Sequence, residues 1–220
     1  MKHLSMSLIG AVALTVAIAA SAPLFAAEQP ATAAPAAASA APAAPKLHAA
    51  MRSLWQGHVE QTRAYAMAVK ADDSAAAAKA ADGVVANAKQ IAGAVGGYYG
   101  DAAGKQMLTL LAGHWGVVKT MTDAQHAGDS AANTKAVQDY AVNAGDIAKF
   151  LSGANPNLPE DAVRGLMMTH GGHHIQQIGQ IMKGDKEGEA NTWKMMRAHM
   201  DVIADALSDA IAKQFPAKAA

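Results

Sequence analysis

Laid against itself with a shift of 56 residues, the sequence matches three times over. Leu54, Leu110 and Leu166 fall in one column, as do His58, His114 and His170, and Asp73, Asp129 and Asp185. Ile91, Ile147 and Ile203 form another, followed by Ala92, Ala148 and Ala204. Residues 45–100 and 101–156 share 17 of 56 positions; seven are Ala, which this chain uses freely, so ten carry information. Residues 157–212 have diverged further, yet hold all five columns without a gap. A period of this order means one supersecondary unit repeated, each burying its apolar face against the next.

The unit reads as a helical hairpin. No proline occurs between Pro45 and Pro156, and only Pro159 and Pro216 follow. In the first unit the apolar stripe runs Leu47, Met51, Leu54, His58, Thr62, Tyr65, Val69, in steps of three and four. Met107, Leu110, His114, Val117 or Val118, and Met121 repeat it, and then Val163, Met167, His170, His174, Ile178 and Ile181. Asp72-Asp73-Ser74, Gly128-Asp129-Ser130 and Gly184-Asp185-Lys186 supply turn chemistry, with Gly closing one helix and Asp capping the next. Returning stripes such as Ala81, Val84, Ala88, Ile91, Val95 complete each hairpin. The expectation is an all-α bundle of six helices, roughly 20–27 residues each, built from three 56-residue helical-hairpin repeats. With aromatic residues at 5% and abundant Ala, the composition suits close-packed helices rather than a β-sandwich.

Outside the repeat, residues 1–26 read as a signal peptide. Lys2 and His3 precede an apolar run, Leu8–Ala20, too short to span a bilayer, and cleavage is expected after Ala26. Residues 27–45 are Ala/Pro low complexity, read as a disordered spacer broken by Pro30, Pro35, Pro42 and Pro45. The helical domain is then 46–216, and the expected location periplasmic or secreted. Lys+Arg and Asp+Glu both number 18, a balance that recruits neither nucleic acid nor an anionic membrane. Cysteine is absent, which excludes disulfides, thiolate nucleophiles and iron–sulfur clusters.

The chemistry gathers in one layer. Each column histidine lies about 14 residues before its turn, and Asn87, Asn143 and His199 stand about 14 residues after it, so both lie about 20 Å from the hairpin tip. His58, Asn87, His114, Asn143, His170 and His199 therefore share a level, with His174 and Thr62 one turn below. If the hairpins surround a pseudo-threefold axis, the histidines of the first helices converge. Buried imidazoles and amides need partners, since an unsatisfied one costs about 1–3 kcal/mol. Two arrangements supply them. One is an inter-hairpin hydrogen-bond layer that sets register. The other is a metal or small-ligand site, with His58, His114, His170, His174 and His199 as ligands of Zn²⁺ or Cu²⁺ and Asn87, Asn143 and Thr62 supporting or binding.

Other motifs exclude more than they suggest. His170-Gly-Gly-His173-His174 lacks the glutamate of a zincin helix, and no Glu-x-x-His pair supports a di-iron centre. Gly171 and Gly172, within a helix, admit a close neighbour or fray it. Met195-Met196-His199-Met200 offers copper-compatible donors or core filling. Neither a phosphate loop nor a Ser/His/Asp constellation is present.

Leu54-Trp55-x-x-His58-Val59 with Thr62-Arg63, Tyr98-Tyr99-Gly100-x-x-Ala103-Gly104, and Leu110-Leu111-x-x-His114 occur in order. Asn143-Ala144-x-x-Ile147-Ala148-x-Phe150-Leu151, Asn155-Pro156, Met167-Met168-x-His170 and Gln214-Phe215-Pro216 continue the series. Across nearly all of 46–216 the chain resembles a family of small exported bacterial helical proteins whose activity is not established. The resemblance implies histidine at the positions of His58, His114, His170 and His199. Tryptophan is usual where this chain has Gln61, and Thr where it has His174. Some members carry a glycosyltransferase label, for which this chain has neither the α/β pattern nor a nucleotide-sugar motif. The functional expectation is a binding protein for a transition metal or small polar ligand. The alternatives are a structural or stress-related interaction module, and a His-based metalloenzyme.

Overall fold

The structure, a computed structural model, describes residues 44–219; the expected leader and the spacer up to residue 43 lie outside the described residues. Among the described residues the chain is all helical. The elements are α1 (Pro45–Lys70), α2 (Ser74–Tyr99), α3 (Asp101–Ala127), α4 (Ser130–Ala154), α5 (Glu160–Lys183), α6 (Lys186–Gln214) and α7 (Pro216–Ala219). Pro45, read above as the last spacer residue, is instead the first residue of α1, where its missing N–H would have had no helical partner anyway. At 29 residues α6 exceeds the expected length, because its buried stripe continues through Ala210, Ile211 and Ala212. The short α7 was not expected; it begins at Pro216 as a single extra turn.

The three turns between paired helices use one device. Asp73, Asp129 and Asp185 sit at the N-caps of α2, α4 and α6, and their carboxylates accept from the N–H groups of Ala76, Ala132 and Gly188 at 2.9 Å. Each such cap contributes about 1 kcal/mol. Gly128 and Gly184 close α3 and α5 in the left-handed conformation, both at φ 72°. The corresponding position of the first turn is Asp72, which takes φ 54° with a side chain.

Each of the six long helices packs on its chain neighbours, and α6 returns to α1, so the helices form a closed ring. α1, α3 and α5 also touch one another and make the interior. That explains why α1 buries a wider face than its expected stripe: Trp55, Val59 and Ala66 join Leu47, Met51 and Tyr65. Leu110 is buried, whereas Leu54 and Leu166 are half-buried at the margin of the core. Polar contacts fasten α6 to α1. Arg63 forms a two-pronged ion pair with Glu189 at 2.6 and 2.7 Å, and Gln177 of α5 donates to the same carboxylate at 2.8 Å. At one end of the bundle Asn155, fully buried, donates to the Tyr99 hydroxyl at 2.8 Å and accepts from the backbone N–H of Asn157. No helix among the described residues is long and apolar enough to cross a membrane.

Candidate metal centre

The interior helices each carry imidazole to the same level. His58 comes from α1, His114 from α3, and His170 and His174, one turn apart, from α5. All four are 1–2% exposed, and each offers a ring nitrogen within 4.8 Å of those of the others. The ring centroids of His58, His114 and His170 lie 5.5–5.9 Å apart, and His170 and His174 approach to 4.4 Å.

Hydrogen bonds decide which nitrogens are free. Asn143 donates its Nδ2 to the Leu110 carbonyl at 3.0 Å, which turns Oδ1 toward His114 Nδ1, also at 3.0 Å. A carbonyl oxygen only accepts, so His114 is protonated on Nδ1 and its Nε2 keeps a lone pair. That Nε2 is buried without a partner, as are both nitrogens of His58 and Nδ1 of His170. His170 Nε2 and His174 Nε2 face each other at 3.0 Å, one donating to the other. Burial, with the neighbouring His114, pushes His58 down to about 3. Burial also brings His114 down to about 4, against the opposing pull of Asn143. His170 and His174 are held well below the usual range by burial and then by the other imidazoles. All four are neutral at pH 7, the state a metal requires.

This geometry suits an ion. Tetrahedral bonds of about 2.0–2.1 Å place ligand nitrogens about 3.3 Å apart, so rings whose nitrogens already lie within 4.8 Å need only small rotations. Asn143 holds the His114 ring as outer groups hold metal-bound imidazoles elsewhere. No carboxylate belongs to the group, so the donor set is wholly nitrogen, which favours Zn²⁺ or Cu²⁺ over Mg²⁺ or Ca²⁺.

The remaining expected residues are placed differently. His199 is not in the group: its Nε2 donates to the Leu166 carbonyl at 2.9 Å. Asn87 does the equivalent in α2, donating to the Leu54 carbonyl at 2.9 Å, and its Oδ1 has no partner. Thr62 Oγ1 donates back to its own helix, to the carbonyls of Val59 and His58. Met196 and Met200 are fully buried in the core while Met195 is exposed, so these sulfurs face different ways.

Glycines lie against these groups: the close neighbour expected at Gly171 is found, none lies at Gly172, and Gly57 and Gly113 add two positions not singled out from the sequence. A Cβ on Gly57 or Gly113 would come within 3.2 Å of the Asn87 or Asn143 amide nitrogen. The residue 56 positions after Gly113 is Thr169, and there His199 makes the carbonyl bond. Gly171 is more constrained still, since a Cβ would fall on the Tyr140 ring. Tyr140 packs 5.0 Å from His114 and donates to the Met167 carbonyl at 2.7 Å. Comparison with protein-family models, curated proteins and solved structures gives no match for this chain.

Proposed function

We propose that this is an exported metal-binding protein, in which three 56-residue helical hairpins surround one transition-metal ion held by His58, His114, His170 and His174. The observation that carries this reading is the set of unpartnered ring nitrogens in the cluster. Four buried imidazole nitrogens lack hydrogen bonds, at about 1–3 kcal/mol each, a sum comparable with the whole stability of a domain. The rings converge from three helices, and an ion takes one nitrogen from each, so it would satisfy His114 Nε2 and one nitrogen of His58 together. The repeat is supported by the three aspartate caps and by three carbonyl bonds, from Asn87, Asn143 and His199 to Leu54, Leu110 and Leu166, each spanning 33 residues. Export rests on the leader-like N-terminus. With the ligands 1–2% exposed, no substrate can stand beside the ion, so the reading is storage, buffering or structural use of the metal rather than catalysis. The His114–Asn143 bond, which joins α3 to α4 within one hairpin, favours a second reading, a register-setting hydrogen-bond layer.

Tag-free protein purified from the periplasm is assayed for bound metal, and the chelated protein is titrated with Zn²⁺ and Cu²⁺ in thermal melts. At a hundredfold excess over Kd, binding to the folded state adds about 2.7 kcal/mol, a rise of roughly 5–10 °C for a chain of this size. His126→Ala, on the surface near a turn, keeps the gain. His58→Leu loses it, yet is more stable than wild type without metal by about 1–3 kcal/mol, because two unpartnered nitrogens are gone. Equal responses from both variants would mean surface chelation; no response from wild type would leave the hydrogen-bond layer.

A further inference from the structure

The four ligands are buried, and the side of the bundle formed by α5 and α6 carries two more imidazoles. His173 of α5 and His199 of α6 lie with ring centroids 5.4 Å apart, at an angle of 69°. Both are only partly buried. His199 donates Nε2–H to the Leu166 carbonyl, which leaves its Nδ1 as the lone pair. His173 Nδ1 is buried and has no partner. Met195, 46% exposed, stands one helical turn before His199 on the same face and adds a thioether nearby. The pair is also next to the buried group, since His173 adjoins His174 in sequence.

We infer that His173 and His199 form a second, solvent-facing metal site, the port at which a divalent transition-metal ion docks before it passes to His174 and His170. Resting on the metal-binding reading above, it adds the route and the groups that serve it. Two imidazoles with one weak thioether hold an ion loosely, as an exchange site should, whereas four imidazoles retain it. Docking beside the final ligands raises the local ion concentration and so the rate of transfer, without any change in the final affinity. No redox step is involved; the ion exchanges water and imidazole ligands only.

The test uses the full mature chain and Co²⁺, whose visible absorption reports tetrahedral nitrogen coordination. Equilibrium titration and stopped-flow uptake are measured for wild type, His173→Ala, and His199→Gln, which keeps a donor for the Leu166 carbonyl. The expected result is an unchanged final affinity and spectrum, with uptake and chelator-driven release both slowed by at least about tenfold in each variant. Met195→Leu slows Cu²⁺ uptake more than Co²⁺ uptake, as thioether preference requires. Uptake as fast as wild type in both histidine variants would overturn the port while leaving the four-histidine site intact. Loss of affinity in either would also overturn it, by making that residue a ligand of the final site. Absence of Co²⁺ binding by wild type would sink the parent reading, and the port with it.

Discussion

Lowering the pH from 7 to 5 protonates an exposed imidazole but not the four in the core. In the unfolded chain each histidine titrates near 6.5. In the folded chain burial holds His58 at about 3 and His114 at about 4, with His170 and His174 well below the usual range. Between these limits the unfolded state binds more protons, so stability is complete above pH 6.5 and is lost as the pH falls toward the folded values. The slope is about 1.4 kcal/mol per pH unit for each group, or about 2 kcal/mol each by pH 5, and up to about 8 kcal/mol for four. That approaches the total stability of an ordinary domain, about 5–15 kcal/mol. Carboxylates confuse the window little. Glu189 and Asp205 are held low by their bonds to Arg63 and Arg52, and what they contribute is lost mainly below pH 4–5. Urea unfolding followed by circular dichroism, in chelator, at half-unit steps from pH 7 to 5 measures the loss. His58→Leu should reduce it by about 2 kcal/mol, one histidine's share. With Zn²⁺ present the decline should steepen, since protons then compete with the ion as well. A total change below about 2 kcal/mol in the metal-free wild type would show that the folded protein protonates these rings, refuting their burial as neutral groups.

Neighbouring glycines in α5 should respond oppositely to alanine. Gly171→Ala drives a methyl into the Tyr140 ring and should cost about 1–3 kcal/mol in denaturant unfolding, while Gly172→Ala, with open space around it, should gain up to about 1 kcal/mol from helix propensity. Asp72→Gly should stabilise by about 0.5–1 kcal/mol, because glycine removes the strain of φ 54°; the exposed Asp72–His126 contact it sacrifices is weak, and a lower melting temperature would count against the strain.

Much of the candidate site was legible before any coordinates because the repeat converts a three-dimensional question into an arithmetic one. Rise per residue placed His58, His114 and His170 at one level, and the column logic placed Asn87, Asn143 and His199 beside them. The same arithmetic misled at His199. It put His199 among the ligands with its column, whereas His199 donates to the Leu166 carbonyl just as Asn87 and Asn143 donate to those of Leu54 and Leu110. Trp55 and Val59 escaped the apolar stripe for a related reason. A stripe assumes one buried face, and α1 is touched by α2, α3, α5 and α6.

From sequence alone came the helical class, the positions of the turns and the set of histidines on the core face. Each of these depends on local physics: the period of apolar residues, the φ that glycine permits, and the carboxylate that caps the next three residues. Only the tertiary structure decided which ring nitrogens remain without a partner, and that His199 and Thr62 turn away to backbone carbonyls. Those outcomes depend on ring orientations set to within an ångström by helices distant in the chain, and a repeat period specifies height along a helix but not the direction in which a side chain finds its partner.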